Sequence, residues 1–134
     1  MLQFNQLTET LSVAGQPEPD DMAALAAQGF EVVICNRPDG EAIDQPSMTD
    51  MEAAAQAAGM VFIRYPVNPG NFPGDDLPGL GASFDSGKKV FAYCRTGTRC
   101  ANLWVATRQA EERDMAISKA QGLGYDLSMV ARLI

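Results

Sequence analysis

Short apolar runs alternate along the chain with stretches in which apolar residues recur every three or four positions. The apolar runs are typical of buried strands and cover residues 11–14, 30–35, 60–65 and 90–92. The periodic stretches predict helices at residues 18–28, 47–58, 75–86, 101–112, 116–122 and 127–134. Strands that alternate with helices form right-handed βαβ units, so the pattern predicts an α/β fold of three layers. Its centre is a mostly parallel sheet with helices on both faces.

The fourth strand leads directly into a cysteine followed by a glycine and two arginines. Gly97 can adopt backbone angles closed to other residues, so the loop can curl with its N–H groups facing the sulfur of Cys94. Those groups, with the positive end of the next helix, lower the pKa of Cys94 toward the reactive thiolate. The simpler alternative is a small buried cysteine beside solvated arginines. The sequence favours catalysis by Cys94, Arg99 and Arg95, with an anion-binding loop made of Arg95, Thr96, Gly97, Thr98 and Arg99.

Composition and charge narrow the classes of function. The 134 residues are enough for one domain, and the net charge of −7 argues against nucleic acid or an anionic membrane as a partner. The chain has no histidine, which excludes Cys–His and Ser–His–Asp catalysis, and three scattered cysteines offer no metal-ligand spacing. We therefore expect no metal and no cofactor. With neither a membrane-length apolar run nor a signal peptide in the sequence, we expect a cytoplasmic protein.

Two further loops are expected beside Cys94, because the carboxyl ends of parallel strands meet at one edge of a sheet. These loops are residues 36–40 and 68–74. Arg37 and Asp39 either form an ion pair that fixes the first loop or line the rim of the pocket, where Asn68 of the second loop also lies. The sequence Arg-Pro-Asp-Gly is itself typical of a tight turn, so the ion pair that fixes the loop is favoured over a place at the rim of the pocket.

Cys100 has two interpretations that the sequence leaves open. It is either a small residue that fills space at the start of a helix, or a resolving thiol. A resolving thiol would form a disulfide with Cys94 or accept a persulfide from it.

Several stretches resemble the phosphatase-like domain of beta-lactamase hydrolase-like proteins, also called the DUF442 family. The resemblance covers nearly the whole chain, so residues 1–134 are expected to be a single such domain. It implies the fold of the dual-specificity, cysteine-dependent phosphatases. In members fused to a persulfide dioxygenase-like domain, it also implies a role in sulfide oxidation. The stretches that carry it are residues 11–17, 29–30, 37–41, 65–67 and 93–99, with Leu103 and Trp104.

The loop departs from the cysteine-phosphatase signature, which is His-Cys, five residues, Arg, and Ser or Thr. Tyr93 replaces the histidine, and Arg99 follows Cys94 after four residues instead of five. Cys100 stands where the arginine would be, and Ala101 occupies the Ser/Thr position.

The position of the phosphatase general acid also differs. By resemblance that acid follows Tyr65-Pro66-Val67, and the residue there is Asn68, which cannot protonate a leaving alkoxide. Asp75 or Asp76 would replace it only if the Pro/Gly-rich loop folds over the site.

Residues 94–99 also resemble the rhodanese loop, Cys-Arg-x-Gly-x-Arg, at every specified position. A short loop suits one extra sulfur atom, and persulfide transfer needs no general acid because its leaving groups are stable anions. The sequence therefore favours a sulfurtransferase that moves sulfane sulfur from thiosulfate or a low-molecular-weight persulfide to a thiol such as glutathione, through a Cys94 persulfide. A persulfide dioxygenase is a possible partner. The alternatives are a phosphatase that forms a Cys94 phosphocysteine and a non-catalytic anion-binding module.

Overall fold

A five-stranded sheet organises the chain in the computed structural model, which describes residues 2–134. The spatial order is β1-β2-β5-β3-β4, and every pair is parallel except β1 with β2. The mostly parallel sheet is thus confirmed. The two-residue β1 was not predicted, because both of its residues are exposed and polar. The strands are β1 Asn5–Gln6, β2 Leu11–Ala14, β3 Val32–Cys35, β4 Val61–Arg64 and β5 Val90–Tyr93.

Helices cover both faces of the sheet, which confirms the three layers. On one face, α1 and α2 bury Met22, Leu25 and Met51 against the sheet. On the other, α3 to α6 contribute half of the buried residues of the larger core cluster. The helices are α1 Asp21–Ala27, α2 Met48–Ala57, α3 Leu77–Phe84, α4 Thr98–Ala106, α5 Ala110–Gly122 and α6 Ser128–Ala131. Within residues 2–134, none of them is long and apolar enough to cross a membrane.

The alternation of β5 decides where the reactive cysteine lies. Val90 and Ala92 face the helical layer of α3 to α6, and Cys94 belongs to the same cluster. Phe91 and Tyr93 point to the opposite face. Tyr93, which stands where the phosphatase signature has histidine, is therefore buried under the sheet, and this burial raises the pKa of its hydroxyl.

The predicted helix at residues 101–112 is wrong in its bounds. Helix α4 begins at Thr98 and ends at Ala106, where the hydroxyl of Thr107 donates to the carbonyl of Trp104 at 2.7 Å. Gln109 is extended, with ψ of 156°, and starts α5, so the predicted helix at 116–122 is only the second half of α5. The last helix is also shorter than expected. A continuous run of helix-forming residues hid the break between α4 and α5.

Candidate active site

The Cys94 loop is a tight turn between β5 and α4. The backbone N–H of Cys94 donates to the carbonyl of Ala14 at 3.2 Å, which fixes the cysteine at the end of the sheet. The chain then reverses at Gly97, whose φ of 89° favours glycine, and the N–H of Gly97 donates to Cys94 Sγ at 3.1 Å. This part of the predicted nest is present. Gly15 permits the close approach, because a Cβ there would lie 2.8 Å from the carbonyl oxygen of Arg95.

Cys94 is set up to be a thiolate although its side chain is buried. The pKa of Cys94 is lowered to about 6 against the opposing effect of burial, and the neighbouring Cys100 thiol is the largest of the causes that lower it. The backbone N–H groups of Cys100, Thr96 and Gly97 act in the same direction. Burial and the neighbouring Cys94 raise the pKa of Cys100 well above that of a free thiol, so Cys100 stays protonated and can donate. The two cysteines therefore have opposite roles.

Arg99 is held at the mouth of the loop by Glu41. Its Nη1 donates to Glu41 Oε2 at 2.9 Å, and its Nη2 donates to Glu41 Oε1 at 3.2 Å. Nη1 also donates to the carbonyl of Val67 at 2.9 Å. The Nε–H of this guanidinium has no hydrogen-bond partner among residues 2–134, and Nη2 has a second N–H beside it. That edge can offer an oxyanion the two-pronged contact that arginine makes with phosphate.

Arg37 binds the same carboxylate from the other side. Its Nε donates to Glu41 Oε1 at 3.1 Å, and its Nη1 donates to Gln16 Oε1 at 3.0 Å. The expected pairing of Arg37 with Asp39 is therefore wrong, because Asp39 accepts a bond from the N–H of Met48 at 2.8 Å. Both residues do fix the loop, each through its own partner. Burial alone would raise the pKa of Glu41, but the bonds from the two arginines lower it.

The other polar residues of the loop face outward. Arg95 is exposed, and no hydrogen bond or ion pair involves its guanidinium in the part of the chain that the structure describes. The hydroxyls of Thr96 and Thr98 lie 3.1 Å apart and bond to each other. Arg95 is thus a cation beside the loop, free to approach an anion from solvent.

The polar residues in and just after the loop at residues 68–74 stabilise that segment itself. Asn68 Oδ1 accepts bonds from the N–H groups of Gly70 and Asn71, at 2.8 and 3.0 Å. Asp76 begins α3 by accepting the N–H of Gly79 at 3.0 Å, and Asp75 lines a cavity beside Tyr65 that contains no residue of the Cys94 loop. The structure therefore does not bring a carboxylic acid from this loop to Cys94.

A cavity of about 820 Å³ lies behind the loop, with Thr96, Gly15 and Tyr125 among its lining residues. The hydroxyl of Tyr125 accepts a bond from Asn5 at 2.9 Å and lies against Gly97, where a Cβ would be 3.2 Å away. Cys94 does not line this cavity. Sequence reasoning missed both Tyr125 and Glu41. Nothing in the sequence marked Tyr125, whereas the spacing from Arg37 to Glu41 was visible.

Curated relatives of the chain carry the matching segment as part of a longer protein. A beta-lactamase hydrolase-like protein of Agrobacterium fabrum is 39% identical over 101 residues, which is 75% of this chain and 23% of the relative. The counterpart from Xylella fastidiosa is 28% identical over 125 residues, or 90% of this chain and 29% of the relative. This chain thus corresponds to about a quarter of the length of these relatives.

Solved structures give the same fold. A candidate phosphatase from Neisseria meningitidis superposes with a TM-score of 0.78 and is 34% identical, covering 96% of this chain and 94% of that one. TpbA of P. aeruginosa, solved as a cysteine-to-serine variant in complex with phosphotyrosine, gives a TM-score of 0.68 at 14% identity, covering 98% of this chain and 82% of that one. The second likeness shows the fold alone.

The family model agrees with these likenesses and with the geometry of the loop. It describes the phosphatase-like domain of beta-lactamase hydrolase-like proteins and matches residues 3–112. The chain therefore belongs to the family of that phosphatase-like domain.

Proposed function

We propose that the chain is a cysteine-dependent phosphatase in which Cys94 attacks the phosphorus of a phosphate ester. The observation that carries the proposal is the thiol of Cys94, held by the N–H of Gly97 with a pKa of about 6. A group with that pKa is largely ionised at neutral pH, and the thiolate is the nucleophile. Family membership and the phosphatase-like neighbours support this reaction over the sulfur transfer that the loop pattern favoured.

The residues around Cys94 have different roles in the proposed reaction. The N–H groups of the loop and the free Nε edge of Arg99 bind the phosphoryl oxygens. Glu41 orients Arg99, and Arg95 adds an exposed positive charge. The attack forms a phosphocysteine as the ester P–O bond breaks and the alcohol leaves, and water then hydrolyses the S–P bond to release inorganic phosphate and restore the Cys94 thiolate.

Release of phosphate from an aryl phosphate tests the proposal. We expect the wild-type protein to turn over this substrate and Cys94→Ser to fall to the background rate. Cys35→Ser is the matched control, because Cys35 is also a buried thiol but lies at the end of β3. Equal rates in wild type and Cys94→Ser, or no release by the wild type, would refute a phosphatase reaction at Cys94.

Sulfur transfer remains a second candidate, supported by the match of residues 94–99 to the rhodanese loop. A persulfide on Cys94 would carry one negative charge, like the thiolate it replaces, and would need no proton donor. The test is the intact mass after incubation with excess thiosulfate, followed by glutathione. A gain of one sulfur atom that requires Cys94 and is removed by glutathione would favour this reaction, and an unchanged mass would exclude thiosulfate as the donor.

A further inference from the structure

The charges beside Cys94 nearly cancel before any substrate binds. Glu41 neutralises one of the two arginines that it contacts, and the Cys94 thiolate offsets the other. Arg37 and Arg99 are both largely buried, with 5% and 11% of their side chains exposed, so water screens them weakly. Arg95 is the further positive charge on the loop.

The other titratable groups near Cys94 are neutral at physiological pH. Burial raises the pKa of the Cys100 thiol, of the Cys35 thiol at the end of β3 and of the Tyr125 hydroxyl behind the loop. None of them adds a charge that would balance a second negative charge on the ligand. The net positive charge of the site thus balances an anion of charge −1, whereas a bound dianion would leave one negative charge unbalanced.

The acidic side chains that could protonate the leaving group already have other partners. Glu41 is ionised in its two ion pairs, and Asp39 and Asp76 accept bonds from backbone N–H groups at the starts of α2 and α3. Asn68 carries no acidic proton. The proton that the leaving oxygen requires must therefore arrive by another route.

We propose that the site takes its phosphate ester as the singly protonated monoanion, whose own proton replaces the missing general acid. This inference rests on the proposed phosphatase function and names the ionic form of its substrate. The Cys94 thiolate forms an S–P bond as the ester P–O bond breaks, and the proton of the phosphoryl group passes to the leaving oxygen. The thiolate and the monoanion carry two negative charges between them, and so does the resulting phosphocysteine, while the alcohol leaves neutral.

The requirement for both ionic forms restricts activity to a narrow pH range. The second pKa of a phosphate ester is about 6, so the monoanion disappears as the pH rises above that value. The Cys94 thiolate disappears as the pH falls below about 6. The profile of kcat/KM is therefore a bell, and for an ester whose second pKa lies above that of Cys94 the enzyme sets the acid limb and the substrate sets the alkaline limb.

The experiment compares pH profiles for two phosphate esters whose second pKa values differ by about one unit and both lie above that of Cys94. We expect the alkaline limb to move by about the same amount, while the acid limb stays where alkylation of Cys94 titrates. An alkaline limb common to both esters would mean that the protein supplies the proton and would overturn the inference. Absence of phosphate release from either ester at every pH would instead refute the phosphatase function.

The charge argument is tested without turnover by two tetrahedral oxyanions of similar size, tungstate with charge −2 and perrhenate with charge −1. Protection of Cys94 from iodoacetamide measures the affinity of each. For Glu41→Gln we expect the preference for tungstate over perrhenate to rise about tenfold, because the two anions differ mainly in charge. The control is Glu52→Gln, which removes an ion pair with Arg64 on the edge strand β4. An unchanged ratio in Glu41→Gln would overturn the charge argument.

Discussion

The ionisation of Cys94 depends first on the thiol of Cys100, and replacing that thiol tests the dependence directly. Cys100 is fully buried at the start of α4, and its thiol is the largest cause of the lowered Cys94 pKa. A hydrogen bond to a charged group contributes about 1.5–3 kcal/mol, which corresponds to about one to two pKa units. In Cys100→Ala the midpoint for Cys94 should therefore rise from about 6 to about 7–8.

The rate of alkylation of Cys94 by iodoacetamide, followed by mass spectrometry between pH 4.5 and 9, measures this midpoint. At pH 7 we expect Cys100→Ala to react about two- to tenfold more slowly than the wild type, because less of its Cys94 is ionised. Cys100→Ser is the matched control, since its hydroxyl can donate in place of the thiol and should keep the midpoint near that of the wild type. Urea unfolding confirms that both variants are folded.

Two results would refute this reasoning. If Cys94 in Cys100→Ala titrates at the same midpoint as in the wild type, the backbone N–H groups alone lower the pKa of Cys94. An equal shift in the serine and alanine variants would mean that packing, and not donation, is what Cys100 supplies. The role of a resolving thiol stays a separate prediction, which the sensitivity of each variant to peroxide would test.

Three further predictions concern stability. Gly97→Ala should lower the free energy of unfolding in urea by about 1–2 kcal/mol because of the positive φ, and by a further amount because the new methyl group would crowd Tyr125. Gly87→Ala is the control, since Gly87 has a similar φ of 83° but lies in open space, and it should show only the cost of the positive φ. Asp76→Ala should cost about 1 kcal/mol through loss of the cap on α3 and leave the alkylation of Cys94 unchanged, and a slower alkylation would contradict its placement away from the site. Because the Cys94 pKa is lowered on folding, its thiolate stabilises the fold above the pKa of the unfolded thiol and this contribution is lost as the pH falls through about 6. The stability advantage of the wild type over Cys94→Ser should therefore shrink by about 2 kcal/mol between pH 8 and pH 5, and a constant difference would contradict the lowered pKa.

Local signals in the sequence predicted the scaffold well. The apolar runs specified four of the five strands, and Ser47 caps α2 as its side-chain type suggests, accepting the N–H of Asp50 at 3.1 Å. The left-handed turn at Gly97 was also predictable, because a glycine three residues after a strand-end cysteine leaves few other ways to curl the loop. These features depend on neighbouring residues alone.

Contacts between distant residues were not predictable from one sequence. Glu41 and Arg99 are 58 positions apart, and no local pattern distinguishes that pairing from one between Arg37 and Asp39. Tyr125 lies beside Gly97 only because the segment between α5 and α6 returns the chain to the Cys94 loop. The six-residue loop pattern favoured sulfur transfer, but so short a motif does not fix which reaction a thiolate performs on a given fold.

The carboxylate of Glu41 has a consequence for how this site can change during evolution. It joins side chains from the segments that follow β3 and β5, and through Arg37 it reaches Gln16 after β2. The Glu41 carboxylate that balances the charge of the arginines also holds these three segments together. Replacing Glu41 therefore alters both the charge selectivity of the site and the rigidity of the segments around it. The Arg95 guanidinium is exposed and holds no such segments together. Divergence toward substrates of different charge is therefore expected to proceed through position 95, where a new side chain disturbs nothing beneath it.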